Sequence, residues 1–500
     1  MNDQLAELRL RLGEVSDLRS ALALLEWDQM VMMPPAGAAV RAERLATLER
    51  IAHERFSDDR IGELVHELSD LEASLPYDSD DACLIRVTRR DWEKARRIPS
   101  ELAGALTKAA SEGMEAWVVA RQEDDYAAFR PWLDRQLELK REYIACFEPA
   151  DDPYDILLDD FEAGTTTAEV KVVFDRLKSE LIPLIAASAD ADGGLGDGPF
   201  PEEGQRQIGL AAMTAFGYEP TSFRLDSTVH PFCSAFATTD VRVTTRYSET
   251  DLESLFSCLH EIGHGLYERG VSPSLERTPL AAGCSSGLHE SQSRLWENVI
   301  GRSLPFCRWL HPQLVAAFPD ALGHMSAEEF QAAVNCVKPS FIRVDADEVT
   351  YGMHIILRFE LEQELIAGTL STADLPDAWN ARFEEYLGIP VPEDRLGVLQ
   401  DVHWSSGSFG YFPTYTLGNL YSAILWERIA ADLPDIEGQL GRAEFAPLLD
   451  WLRTRIHRPG HIHEGDDLIN EVTGSRLQHG PFMRYLWGKF GPLYGVEAPA

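Results

Sequence analysis

Apolar residues recur at three- and four-residue spacings along most of the chain, and this pattern predicts a mainly α-helical protein. The first segment shows it clearly, with Leu5, Leu8 and Leu12 on one helical face. Residues 1–150 are therefore predicted to form helical hairpins. The predicted breaks between these helices contain a turn-forming proline or an N-cap residue and fall at 33–37, 76–78 and 99–100.

One region alternates with the two-residue period of a β-strand instead. At 240–247, Val241 and Val243 face one way and Arg242 and Thr244 the other, and a shorter run stands at 222–226. These two strands predict a small antiparallel sheet directly before the next helix. An edge strand in this place can hold an extended peptide by β-addition.

The helix predicted at 255–267 carries the motif H-E-x-x-H, with His260, Glu261 and His264. Residues four apart lie on one helical face, so both imidazoles can reach one metal ion. Two neutral nitrogens leave room for a third protein ligand and a water, which suits zinc. Glu261 is then placed to take a proton from that water. The motif predicts a metallopeptidase.

The third ligand is expected on a second helix, at 284–298. The metzincin pattern on the first helix is excluded, because it requires Gly and His where the chain has Tyr267 and Gly270. A His2Glu site takes its carboxylate from a following helix, and Glu290 is the predicted ligand. Glu297 is the candidate to orient a histidine, with a structural carboxylate as the alternative.

Composition narrows the class of protein. The 500 residues carry 45 basic and 82 acidic side chains, a net charge of −37 that argues against nucleic acid and anionic membranes as partners. No apolar run is long enough to cross a bilayer, and no secretory signal is evident at the first residues. Seven scattered cysteines without a C-x-x-C pair indicate reduced thiols. We therefore expect a cytoplasmic protein.

Six motifs together resemble the carboxypeptidase Taq family of metallocarboxypeptidases, in that family's order and over nearly the whole chain. The resemblance implies a helical zinc-peptidase fold with a deep central groove, a homodimer, and removal of single C-terminal amino acids with broad specificity. It also implies His260, His264 and Glu290 as ligands of one Zn²⁺ per chain, with Co²⁺ possible, and Glu261 as general base. The motifs lie at 230–232, 240–244, 260–264, 289–292, 342–347 and 397–404.

Further roles follow from the chemistry of such an enzyme. The oxyanion of the tetrahedral intermediate needs hydrogen-bond donors, for which His403 and Tyr415 are the candidates, with Tyr411 behind them. Structural packing is the alternative for all three. His230 is expected to contact substrate or to shape the wall beneath the metal.

A carboxypeptidase must also bind the free carboxylate of its substrate, which arginine does best. Arg343 is the predicted carboxylate-binding residue and Arg242 the second candidate. Either can instead form a structural bridge, Arg343 with Asp345 or Asp347 and Arg242 with Asp240. For Arg242 the bridge is the preferred interpretation.

We predict one metallocarboxypeptidase domain over residues 1–500. Three subregions are predicted within this domain. Residues 1–150 form the N-terminal helical hairpins, residues 220–300 form the small sheet and the metal-binding helices, and residues 301–500 form a helical substrate-groove region. The glycine-rich stretch 189–199 is interpreted as a surface loop inside this domain. Two other functions stay open: an oligopeptidase or peptidyl-dipeptidase on the same zinc scaffold, and a non-catalytic peptide-binding helical protein.

Overall fold

The computed structural model describes residues 3–188, 193–196 and 198–498. Helices dominate it, which confirms the predicted mainly α fold with one small sheet. The first twelve helices, labelled α1 to α12, are Asp3–Val31, Ala38–Phe56, Asp59–Glu67, Ser69–Ser74, Asp80–Ala95, Ser100–Glu123, Tyr126–Ile144, Tyr154–Leu158, Thr167–Ser188, Glu202–Phe216, Glu253–Gly270 and Ser286–Arg294.

The C-terminal half is helical as well. Helices α13 to α22 are Leu304–Ala317, Pro319–Leu322, Ala327–Val334, Tyr351–Ala367, Leu375–Leu387, Pro413–Asp432, Ile436–Gly441, Ala446–Leu452, Gly465–Thr473 and Gly480–Tyr494. Strands β1 to β3 are Phe223–Ser227, Cys233–Ala237 and Asp240–Thr245. Short 3₁₀ turns and two π-helical turns, Leu295–Ile300 and Arg453–His457, connect or extend these elements.

The chain divides into two compact units, each built from separate stretches. Unit 1 comprises 1–96, 195–331 and 425–474, and unit 2 comprises 97–194, 332–424 and 475–500. One division falls at 194/195, inside the stretch 189–199 that was interpreted as a loop within one domain. Residues 189–192 and 197 of that stretch lie outside the described residues. The single domain over 1–500 and its three subregions stay a prediction.

In unit 1 the N-terminal helices form a hydrophobic core that reaches the chain following α11. Leu8, Ile61 and Leu84 of α1, α3 and α5 are fully buried in it, together with Val271 and Leu275. Burying each of these side chains contributes about 1.5–3 kcal/mol. The C-terminal end of α11 is thereby packed against the N-terminal helices.

The sheet differs from the prediction in its pairing. The strands at β1 and β3 are present, but they pair in parallel, with Phe223 opposite Val241. The predicted antiparallel pairing of these two strands is therefore wrong. An additional strand, β2, pairs antiparallel to β3 on its other side, giving the order β1-β3-β2. The residues of β2 do not alternate in polarity, so the two-residue pattern could not reveal it.

Helix α11 lies between α12 and the sheet, and two glycines permit this. A Cβ at Gly263 would lie 2.6 Å from the Gln292 carbonyl oxygen and 2.7 Å from the Ser293 Cα. At Gly265 a Cβ would lie 2.9 Å from the Phe223 ring. These glycines weaken an isolated helix by roughly 1 kcal/mol each. Here Gly263 allows the backbone of α12 to approach closely, and Gly265 leaves room for side chains of the sheet.

We expect Gly263→Ala to destabilise the protein. The added methyl group meets backbone atoms of α12, which cannot rotate away, and such overpacking costs about 1–3 kcal/mol. Thermal and urea unfolding followed by circular dichroism measure the effect. Gly104→Ala in α6 is the matched control, because no atom lies within 4 Å of its Cβ position; there we expect equal or greater stability. Equal stability of both variants would contradict the proposed backbone contact.

Candidate metal centre

Three predicted ligands meet in unit 1. The Nε2 atom of His260 lies 3.6 Å from Oε2 of Glu290, and Nε2 of His264 lies 3.4 Å from the same oxygen. The ligand atoms all lie within 4.8 Å of one another. Glu290 comes from α12, which begins after Ser285; the Ser285 hydroxyl accepts a 3.1 Å hydrogen bond from the Leu288 amide and so caps the helix.

The spacing of these atoms fits a metal ion. The two nitrogen–oxygen separations exceed ordinary hydrogen-bond lengths. They match the roughly 3.3–3.6 Å between two ligands that each lie about 2.0–2.2 Å from a tetrahedral zinc ion. The donor set, two imidazoles and one carboxylate, is that of catalytic zinc sites. Within the described part of the chain, no other group of three such side chains comes together in this way.

Glu261 is buried beside the ligands, with 6% of its surface exposed. The pKa of its carboxyl is raised to about 7, mainly by burial; His260 opposes this shift and Glu290 adds to it. A carboxyl with this pKa can both accept and donate a proton near neutral pH.

Glu290 and His260 have additional partners that set their charge. Arg294 donates a 2.6 Å hydrogen bond from Nε to Oε1 of Glu290. Burial by itself would raise the pKa of Glu290, but Arg294 and His260 hold it well below its usual range. For His260, burial disfavours the charged ring, yet Glu290 and Glu297 outweigh this effect and raise its pKa to about 9. With this pKa the His260 ring is protonated at neutral pH.

Glu297 lies in the π-helical turn that follows α12, where its Oε2 is 2.9 Å from Nδ1 of His260. Arg294 and Arg302 contact the same carboxylate at 3.3 and 3.5 Å. Burial opposes its ionisation, but these arginines and His260 lower the pKa of Glu297 to about 2. The contact needed for the predicted orienting role is present.

The other residues predicted in unit 1 lie on and beside the sheet. Arg242 donates two hydrogen bonds to Asp240, at 3.0 and 3.1 Å, and stacks 4.4 Å from the Trp27 ring centre. This is the structural bridge preferred for Arg242. His230 is exposed in the connection between β1 and β2.

In unit 2, four predicted residues form one cluster. His403 Nε2 lies 3.2 Å from the Tyr415 hydroxyl, the His403 ring stacks on Tyr411 at 5.7 Å, and the Arg343 guanidinium lies 4.7 Å from the Tyr415 ring centre. Burial lowers the pKa of His403 to about 3, so its ring is neutral. The sequence indicated His403, Tyr411 and Tyr415 as one group but did not connect Arg343 to them.

Arg343 is buried, and Asp401 is its partner rather than Asp345 or Asp347. Its Nε and Nη2 donate to Oδ1 of Asp401 at 3.0 and 2.9 Å. Arg358, fully buried, donates from Nε to the other oxygen at 2.6 Å. Two guanidiniums thus share one carboxylate. The sequence could have indicated Asp401, since it stands two residues before His403, but Arg358 carries no local signal.

A family model for carboxypeptidase Taq (M32) metallopeptidases matches residues 7–490. The chain belongs to this family. The resemblance drawn from the six motifs is confirmed, and membership implies a metal ion and peptide substrates.

Relatives in the M32 family match along nearly their full length. Thermostable carboxypeptidase 1 of Thermus thermophilus is 42% identical over 496 residues, covering 96% of this chain and 97% of the relative. Carboxypeptidase 1 of Bacillus subtilis is 36% identical over 488 residues, covering 97% of each. The crystal structure of the M32 carboxypeptidase of Deinococcus radiodurans R1 is 39% identical, with a TM-score of 0.95, and the match covers 99% of this chain and 100% of that one.

We expect metal binding to release protons. His260, with a pKa of about 9, is protonated at neutral pH and must lose this proton before Nε2 can bind a cation, whereas burial holds the pKa of His264 at about 4, so it contributes none. Zn²⁺ binding should release about one proton, and the affinity should rise about tenfold per pH unit up to the His260 pKa.

Calorimetric titrations in two buffers of different ionisation enthalpy measure this release. Glu297→Gln removes a group that raises the His260 pKa and should reduce the number of protons released. Proton release indistinguishable from zero at neutral pH would contradict the charge assigned to His260.

Proposed function

We propose that this M32 family member is a zinc-dependent carboxypeptidase that removes single C-terminal amino acids from peptides with broad specificity. The observation that carries the proposal is the group of His260, His264 and Glu290 with the buried Glu261 beside it. Two imidazoles and a carboxylate favour Zn²⁺, and Co²⁺ is compatible with the same donors. We propose one ion per chain.

The chain's own residues supply the proton chemistry. His260, His264 and Glu290 would hold the divalent ion, which would supply Lewis acidity toward the scissile carbonyl and toward the attacking water. Glu261 accepts a proton from the attacking water, because its pKa of about 7 leaves a large fraction ionised at neutral pH. Glu261 then returns this proton to the leaving amine. Arg294 keeps Glu290 ionised and therefore able to act as a ligand.

For the residues of unit 2 we propose the roles that the chemistry of such an enzyme requires, and for His403 and Arg343 the family resemblance supports them as well. His403 and Tyr415 donate hydrogen bonds to the oxyanion, Tyr411 supports the His403 ring, and Arg343 binds the substrate carboxylate. The neutral state of His403 supports its role as a hydrogen-bond donor. For His230 we retain substrate contact, which its exposed position permits. Arg242 remains the second candidate for carboxylate binding.

We also propose a homodimer located in the cytoplasm. All seven cysteines are free thiols, which supports a reducing compartment. No helix in the described part of the chain combines the length and apolar character that crossing a bilayer requires. The dimer rests on the family resemblance.

We expect Glu261→Gln to abolish most of the activity while the metal remains bound. Loss of a general acid–base group lowers kcat by about 10²–10⁴-fold, and an amide of the same shape leaves the three ligands in place. Peptide hydrolysis and metal content are measured on the same preparation. Glu253→Gln, an exposed residue of the same helix, is the control and should retain full activity. A Glu261→Gln variant that binds metal and is fully active would exclude Glu261 as the general base.

We expect an N-terminally blocked peptide with a free C-terminus to lose single amino acids in order. The C-terminally amidated peptide should react about 10–150-fold more slowly, because a charged hydrogen bond worth about 1.5–3 kcal/mol is lost. Mass spectrometry of a time course identifies the products. Released dipeptides would instead identify a peptidyl-dipeptidase, and internal cuts would identify an oligopeptidase. If the protein binds metal but releases no product, it is a peptide-binding protein.

The same pair of peptides tests which arginine binds the carboxylate. Arg343→Lys should narrow the difference in rate between the free and the amidated peptide, because Arg343 is the proposed carboxylate-binding residue. Arg242→Lys should preserve it, because the bridge to Asp240 is the preferred role of Arg242. The ratio of two rates on one preparation is independent of how much of the variant folds. If only Arg242→Lys narrows the difference in rate between the two peptides, Arg242 rather than Arg343 binds the carboxylate.

A further inference from the structure

The two ligand histidines have different partners on their far ring nitrogens. The Nδ1 atom of His260 contacts the carboxylate of Glu297 at 2.9 Å. The Nδ1 atom of His264 contacts another imidazole, Nδ1 of His289, at 2.6 Å. An imidazole that coordinates metal almost always donates its other N–H to an acceptor, which fixes its tautomer and orientation. For His264 that acceptor is His289.

Which ring nitrogen of His264 and of His289 carries the proton follows from the use of Nε2 of His264 as the ligand atom. Nε2 of His264, the predicted ligand atom, lies 3.4 Å from Oε2 of Glu290. A metal ion would take the lone pair of Nε2, so the proton of the neutral His264 ring must be on Nδ1. His264 therefore donates from Nδ1, and His289 accepts at Nδ1. A neutral His289 then carries its own proton on Nε2.

That second proton also has an acceptor. Nε2 of His289 lies 2.7 Å from Oε1 of Glu268, so the chain of hydrogen bonds runs from His264 through His289 to a carboxylate. Glu268 is in the last turn of α11, where a negative charge opposes the helix dipole. The position is unfavourable for the helix by itself, and the contact with His289 gives the carboxylate a partner.

Packing holds the His289 ring in place. It lies between the rings of His264 and Tyr267, with centroid separations of 4.7 and 5.1 Å and interplanar angles of 35° to each. A Cβ at Gly283 would lie 2.7 Å from Cδ2 of His289, so the backbone closes over its edge. The ring can neither flip nor withdraw from His264 without moving these neighbours.

We propose that His289, held by Glu268, is a positioning residue that fixes the tautomer and ring orientation of His264 for metal binding. The inference rests on the proposed function, since it requires that the site take a divalent ion. It makes the two histidine ligands unequal: His260 is polarised directly by a carboxylate, and His264 only through a neutral ring. The two ligands therefore depend on separate and unrelated sets of supporting residues.

Co²⁺ binding to the full-length protein tests this role without relying on activity. Affinity is measured by competition with a chromophoric chelator, and the visible absorption of bound Co²⁺ reports ligand geometry. His289→Leu removes both hydrogen bonds, and His289→Asn keeps an oxygen near the position of Nδ1. Glu268→Gln keeps an acceptor for His289, and Glu268→Met removes it. Tyr267→Phe is the control, because it keeps the stacked ring and loses the hydroxyl's hydrogen bonds with the thiol and the amide of Cys284.

We expect His289→Leu to weaken Co²⁺ binding about 10–100-fold and to change the absorption spectrum. His289→Asn should recover part of the affinity. Glu268→Met should alter the spectrum, Glu268→Gln should alter it less because it keeps an acceptor for His289, and Tyr267→Phe should match the wild type. Glu268 is at the edge of the site, so its variants give a result even where His289→Leu does not fold.

Two results would overturn the inference in different ways. If the wild-type protein binds Co²⁺ and both His289→Leu and Glu268→Met bind it equally well with an unchanged spectrum, His289 has no positioning role and the proposed function stands. If the folded wild-type protein binds neither Co²⁺ nor Zn²⁺, the proposed function fails and the inference fails with it.

Discussion

The metal centre depends on the close approach of α11 and α12. Gly263 allows the backbone of α12 to approach α11 at Gln292 and Ser293, and this contact brings Glu290 beside the two histidines. A side chain at 263 would separate the helices, and separation by even one methyl group would exceed the tolerance of a ligand set whose bonds are about 2.0–2.2 Å long. Helix packing and ligand geometry are therefore one constraint.

A second constraint is the charge that the site concentrates. Glu261 and Glu290 are buried and Glu297 is partly buried beside them, and the charges of Glu290 and Glu297 both act on Glu261. An uncompensated carboxylate is costly in such a place. Arg294 and Arg302 compensate part of this charge. A proton on His260 compensates more in the metal-free protein, and a divalent cation can replace it. The buried acidic residues thus favour a bound cation as well as providing its ligands and its base.

Unit 2 contains a second buried charged network, arranged with the opposite balance. Arg343 and Arg358 share the single carboxylate of Asp401, whose pKa they hold well below its usual range although burial opposes this. The nearby Glu362 accepts hydrogen bonds from Tyr154, Trp404 and the Gly410 amide, and burial raises its pKa to about 7. Removing one member of such a network leaves a buried charge without its partner. The loop that carries His403 and Trp404 is fixed by these contacts.

The sequence by itself determined what depends on local order along the chain. Helical periodicity predicted the helices, and the spacing of His260 and His264 placed both on one face. The absence of the metzincin histidine left a following helix, with Glu290, to supply the third ligand. Only the tertiary structure decided which distant side chains share a proton or a charge. The pairing of β1 with β3, the link from Arg343 to Asp401, and the contact of His289 with His264 join residues that no periodicity relates. Such contacts depend on how packed elements meet, which a one-dimensional pattern does not encode.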